Sequence, residues 1–317
     1  MFVQRLSGSR LAHACLIAGP QGLGKLEFAR QMVVTMLCQQ QELQACGVCR
    51  SCQLFASGAH PDFRLLTFEI NPRTDKMRTE LVIDQVRELN AFMQLTHSTS
   101  PRKVALIHPA EAMNRNTANA LLKTLEEPPG NAVLVLVAHD PSRLAATIRS
   151  RCQTIHVRLP DEKLALDWLV NSTDADVEPA AIALRASAGS PLLARQMLLH
   201  EQTEKFRAFT HQLVRVQVDA SVVGEVMDNW SELDQECLWN WLSLITAQRL
   251  HSCFSQPGHG AAMVEGWEGD AGVRQQAGQI SLLQSLADHN RRALATSLRK
   301  DLLLRDWLIQ WSRLTSS

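Results

Sequence analysis

Four thiols crowd one short stretch of the chain, Cys38, Cys46, Cys49 and Cys52, in the spacing C-x7-C-x2-C-x2-C. Two C-x2-C steps share Cys49 and put three sulfurs on one tight knuckle, and Cys38 brings the fourth from the end of the preceding helical segment. Four soft donors within tetrahedral reach suit structural Zn²⁺, and no His or carboxylate in the run leaves an open position for catalysis at the metal. Disulfides are the competing use, but they are rare in a reducing compartment. A bacterial iron–sulfur run would read C-x2-C-x2-C-x3-C-P, whereas Ala56 stands four beyond Cys52. Cys15, Cys152, Cys237 and Cys253 stand apart and read as small core residues.

A phosphate-binding pattern precedes the cysteines. Residues 19–25, GPQGLGK, fit G-x-x-x-x-G-K, with Gly19, Gly22, Gly24 and Lys25 as the candidate phosphate ligands. An apolar run leads into it and a helical pattern follows, the context in which backbone amides cradle phosphate. The next residue should carry the hydroxyl that holds Mg²⁺, but it is Leu26. The neighbouring strand, KVALI (103–107), should end in carboxylates and ends in His108-Pro109. Glu111 would have to reach back from three residues further on, which the spacing disfavours, and Asp140 sits two residues past the run AVLVLVA (132–138). Metal neutralisation of charge supplies most of phosphoryl-transfer catalysis. The two lesions therefore disfavour ATP hydrolysis. Binding of ATP or ADP through Lys25 and the loop amides stays open, alongside a vacant structural turn.

These residues need a scaffold. The chain has 317 residues, enough for two or three domains, and its 45% hydrophobic and 20% charged residues are those of a globular protein. Lys+Arg and Asp+Glu each number 32, so the formal net charge is zero, which argues against strong autonomous binding to nucleic acid. No apolar run is long enough to cross a bilayer. The opening MFVQRLSGSRLAHACLIAGP runs straight into the phosphate loop and reads as a strand rather than a secretory signal, so the expected location is cytoplasmic.

AHACLIA (12–18), KVALI and AVLVLVA are nearly continuous apolar runs, the mark of strands buried on both faces of a parallel sheet, and FRLLTF (63–68) is a further candidate. Helical periods lie between them, at 26–38 and through Ala118, Leu121, Leu122 and Leu125 up to Pro128-Pro129-Gly130. Beyond Leu159-Pro160 the strands disappear. The expected architecture is a parallel α/β domain over 1–159 carrying the cysteine module at 38–52, a small helical domain over 160–200, a linker at HEQTEK (200–205), and an all-α domain over 206–317 with an exposed loop at 255–275.

Two further strings carry a resemblance: NTANALLKTLEEPPGNAVLVLVAHDPSRL (116–144) and Ser150-Arg151-Cys152. With the cysteine insert, HPDF (60–63) and IDQVREL (83–89), the chain resembles the delta-prime subunits of bacterial DNA polymerase III clamp loaders, a family of the AAA+ superfamily. The likeness is strong over about residues 10–160 and weak beyond. It implies an AAA+ P-loop-type sheet domain with a zinc module, a helical lid, and an all-α collar that joins a hetero-pentamer with motor (gamma/tau-type) and delta-type subunits. Such machines use ATP to open a ring-shaped sliding clamp and place it on primer–template DNA. The delta-prime member usually does not hydrolyse ATP and presents the arginine of its SRC string, here Arg151, to the ATP site of a neighbour. A guanidinium suits that role, because its fixed donors neutralise charge developing on a phosphoryl group. Gly189-Ser190-Pro191-Leu192, which lacks the arginine many motor subunits carry there, fits the same picture. The rival expectations are an ATP-hydrolysing motor subunit of such a complex, an intramolecular salt bridge for Arg151, and a zinc-dependent nucleic-acid binder outside replication.

Overall fold

The computed structural model describes residues 13–40, 42, 44–254, 273–294 and 299–315. It divides into two compact units, Met1–Leu159 and Pro160–Ser317. The expected loop at 255–275 lies outside the described residues except for its last three, which begin a helix.

The first unit is built on a five-stranded, all-parallel sheet. Its strands are β1 (Ala14–Ala18), β2 (Phe63–Leu66), β5 (Val104–Ile107), β6 (Val133–Ala138) and β7 (Gln153–His156), in the order β2-β5-β6-β1-β7. β3 (Ile70–Asn71) and β4 (Lys76–Met77) form a separate small hairpin. Every residue of β1, β5 and β6 is buried, because alternate side chains face opposite layers of helix. Ala14, Leu16, Ala105, Ile107, Leu134 and Leu136 pack with helices α3 (Ile83–Gln94) and α4 (Arg115–Glu126). Cys15, Ile17, Val104, Leu106, Val135 and Val137 pack against Ala29, Met32, Val33 and Met36 of α1 (Lys25–Leu37). The chain runs from β1 out to the far edge, returns strand by strand to β6 beside β1, and then crosses to β7 on the other side of β1. That reversal leaves a crevice at the carboxyl ends of β1 and β6, where α/β sheets bind ligands. The phosphate loop emerges there.

A buried carboxylate ties the cysteine module to the sheet. Asp62 Oδ1 accepts from the amide of Ser98 at 2.8 Å, and Oδ2 accepts from the amides of Thr99 and Ser100 at 2.8 and 2.9 Å. Lys103 Nζ lies 3.5 Å away, with both side chains almost wholly buried. Burial would push the Asp62 carboxyl up, but the amides of Ser100, Thr99 and Ser98 outweigh it and hold it far below the ordinary carboxylate range. Removing one partner strands the other charge, so Asp62→Ala is expected to cost about 3–5 kcal/mol. A depressed carboxylate stabilises the fold above its unfolded pKa of about 3.9 and loses that contribution as pH falls through the folded value. The gap between wild type and mutant should therefore be full at neutral pH and narrow below about pH 4. Amide hydrogen exchange over the strands checks this; fluorescence does not, because the seven tryptophans all lie beyond residue 167.

The second unit is helical. Helices α6 (Glu162–Thr173), α7 (Val177–Ala186) and α8 (Pro191–Leu199) share one hydrophobic core with α9 (Gln202–Val218), α10 (Val223–Asn229), α11 (Gln235–Phe254), α12 (Val273–Ala293) and α13 (Lys300–Ser312). Trp230, Trp239, Trp241, Trp307 and Trp311 are buried in it. Trp307 Nε1 donates to Leu283 O at 3.0 Å and Trp311 Nε1 to Leu213 O at 3.1 Å, whereas the equally buried Trp239 Nε1 has no partner. No helix among the described residues is long and apolar enough to cross a membrane.

Candidate functional site

The phosphate loop takes the conformation its glycines permit. Gly22 and Gly24 have φ of 77° and 70°, and Gly24 opens α1 in the left-handed region. Gly19 serves packing as well. A Cβ there would lie 2.1 Å from the carbonyl oxygen of Val157, so the loop fits against the residue that follows β7 only because the side chain is missing. Lys25 is 2% exposed and its ammonium donates back to the carbonyl of Pro20 in its own loop. Burial lowers the Lys25 pKa, and the charge of Glu111 partly restores it.

Glu111 overturns one expectation. The short 3-10 turn Ala110–Ala112 swings it back to the strand ends, where Oε1 accepts from the amides of His139 at 2.8 Å and Asp140 at 3.3 Å. The pocket thus contains a carboxylate, in the field of Lys25, that spacing along the chain had seemed to place out of reach. Leu26 still offers no oxygen beside it. His108 and His139, at the ends of β5 and β6, meet edge to face with ring centroids 5.1 Å apart. Sequence reasoning read His108 only as a missing acid and passed over His139. Asp140 turns aside to cap its own loop, accepting from the Ser142 amide at 3.0 Å.

Cys38, Cys46, Cys49 and Cys52 converge, with all four Sγ atoms within 4.8 Å of one another. Cys38 caps the C-terminus of α1, and Cys49 caps helix α2 (Arg50–Ala56), which carries Cys52. Their Sγ–Sγ approach of 4.0 Å between Cys38 and Cys49 is far beyond a disulfide bond and close to the edge of a Zn–S tetrahedron, about 3.8 Å for bonds of about 2.3 Å. Burial raises the Cys49 thiol, but amide donors at Cys52 and Gln39 and its thiol neighbours bring it down to about 6, while burial and Cys49 push Cys52 up to about 12. The four-sulfur donor set fits a divalent zinc ion. Ser51, between the ligands, donates to Leu37 O at 2.6 Å and meets His60 Nε2 at 2.8 Å. His60 Nδ1 in turn accepts from the Asp62 amide, so the knuckle is wired to the buried carboxylate.

Arg151 lies just past the short helix Ala146–Arg149 in an exposed position. Its guanidinium pairs with Glu126 Oε1 at 2.5 Å and donates to Thr147 O at 3.0 Å, the side chains being 36% and 50% exposed. An exposed pair of this kind is worth about 0–1 kcal/mol, so the guanidinium is parked rather than locked. Cys152, beside it, is half-buried, and burial pushes its thiol up to about 11. The structure thus brings Gly19, Gly22, Gly24 and Lys25 together at one strand end and the four cysteines together on the adjoining module, while Arg151 bonds Glu126 and Thr147.

Comparison with known proteins places these features in a family. A family model described as "DNA polymerase III, delta subunit" matches residues 1–161. The chain is 35% identical over 312 residues to the DNA polymerase III subunit delta′ of Pseudomonas aeruginosa, covering 96% of this chain and 92% of that protein. To the delta′ subunit of Escherichia coli K12 it is 31% identical over 308 residues, covering 94% and 88%. The tau subunit of E. coli is 32% identical over 201 residues, 62% of this chain and 30% of tau. With both the sheet unit and the full-length relatives in agreement, the chain belongs to the delta-prime family of DNA polymerase III clamp-loader subunits.

Proposed function

We propose that the chain is a non-hydrolysing member of the bacterial clamp loader that lends Arg151 in trans to the ATP site of a neighbouring motor subunit. The observation that carries this reading is the contrast between two sites. The chain's own phosphate loop has Leu26 where the Mg²⁺-holding hydroxyl belongs, while the Arg151 guanidinium is held at an exposed position of the same unit by a weak ion pair with Glu126 and a hydrogen bond to Thr147 O. The partners on this reading are motor and delta-type subunits in a hetero-pentamer, with the sliding clamp and primer–template DNA reached through the complex. The helices over 160–200 act as lid and those over 206–317 as collar. The zinc module holds the segment between α1 and β2 in shape.

Turnover by the isolated chain separates this from a motor subunit. The expected result is no Mg²⁺-dependent ATP hydrolysis above that of Lys25→Ala; hydrolysis that disappears with Lys25→Ala would make the chain a motor. Mixed with candidate motor and delta-type subunits, the chain should be recovered in one complex whose mass requires it.

A further inference from the structure

We propose, on the zinc reading of the cysteines, that the HPDF string (60–63) is the brace of their module: His60, acting through Ser51, positions the ligand Cys38 and so sets how tightly the four thiols hold the metal. A chain of hydrogen bonds with one possible direction carries this. The Asp62 amide can only donate, and it meets His60 Nδ1 at 3.0 Å, so that nitrogen bears the lone pair. The ring proton is then on Nε2 and goes to Ser51 Oγ, 2.8 Å away. The Ser51 hydroxyl is left to donate to the Leu37 carbonyl at 2.6 Å. Ser51, His60 and Asp62 are all buried, so a broken link leaves polar atoms that bulk water does not repair.

Leu37 is the residue before Cys38, and Gln39, the residue after it, donates from Nε2 to Thr99 O at 3.0 Å. The ligand is thus tied on both flanks, and both ties lead to the turn at 98–100 that the Asp62 carboxylate clasps. Phe63 works on the other side of the cluster. Its ring packs 5.0 Å from that of Phe55 on α2, the helix that carries Cys52, and Arg30 of α1 lies over the same Phe55 ring at 5.7 Å. The two ligands served in this way, Cys38 and Cys52, are the two that are buried, whereas Cys46 and Cys49 are partly exposed. Half of the donor set is therefore fixed by the sheet unit, and the knuckle closes on it. Partners behind metal ligands are worth about 10–100-fold in affinity. Coupling of this kind is reciprocal, so zinc must in turn steady the turn at 98–100.

The test is competition for Zn²⁺ between the full chain and a chromophoric chelator. His60→Ala and Ser51→Ala should each weaken zinc binding by about 10–100-fold although all four cysteines remain. His60→Gln, which keeps a donor for Ser51, should recover part of the loss. Thr124→Val removes a buried hydrogen bond to Asn90 Oδ1 elsewhere in the same unit and should leave zinc affinity unchanged. A second readout needs no variant: stripping zinc from the wild type should speed amide exchange at Ser98, Thr99 and Ser100 while β5 keeps its protection. Wild-type affinity in His60→Ala and Ser51→Ala, an equal loss in Thr124→Val, or exchange at 98–100 indifferent to zinc would each overturn the brace. A wild type that binds no zinc would overturn the cysteine assignment itself, so the two readings fail separately.

Discussion

Arg151→Ala is expected to leave the assembled loader intact and to remove most of the DNA-stimulated ATP turnover at the one site the guanidinium serves. An arginine finger is worth on the order of 10³–10⁵ in rate at its own site, and a motor with several sites should show a smaller total loss. Arg151→Lys should fail nearly as badly, because a point charge cannot reproduce the planar fork of donors that meets two phosphoryl oxygens at once. Glu126→Gln is the informative control. It breaks the resting ion pair, which is exposed and worth about 0–1 kcal/mol, so the rate should change by less than about fivefold. ATPase and clamp loading unchanged in Arg151→Ala would end the claim, and loss of the complex itself would make the residue structural.

If the four thiols hold zinc, Cys49→Ala should abolish metal binding and unfold the module locally. Cys49 is the hinge of the two C-x2-C steps, and it also caps helix α2 by accepting from the Cys52 amide. Zinc binding by small structural sites is worth about 10–16 kcal/mol in isolated peptides, so little of the knuckle should survive without it. The damage has a defined path. Ser51 bonds Leu37 and His60, and His60 bonds the backbone of Asp62. Exchange should accelerate over residues 38–60 first and reach the Asp62 network next, while β1, β5 and β6, buried between helices, keep their protection. Metal content by mass spectrometry of the native protein is the first check; equal zinc in mutant and wild type would contradict the assignment.

Much of this was legible in the chain because burial on two faces leaves a one-dimensional trace. β1, β5 and β6 are continuous apolar runs for that reason, and the C-x7-C-x2-C-x2-C spacing records a knuckle whose ligands are close in sequence. What escaped has little local signature. β7, QTIH, is a short edge strand, partly exposed along its length, and its pairing with β1 depends on a partner more than 130 residues away. The hairpin of β3 and β4 is two residues a side. Glu111 looked stranded because distance along the chain ignores the 3-10 turn that folds it back onto His139. Asp62 gathers amides from residues 98–100, and Arg151 finds Glu126, by contacts that no spacing rule encodes. Gly19, where a side chain would strike Val157, was readable only as part of a phosphate loop.

The most direct test is the position of one side chain in the assembled machine. In a structure of the loader bound to a non-hydrolysable ATP analogue, the Arg151 guanidinium should have left Glu126 and lie about 3 Å from an oxygen of the γ-phosphate held by the adjacent subunit. An Arg151 still paired with Glu126, or remote from every bound triphosphate, would contradict the account.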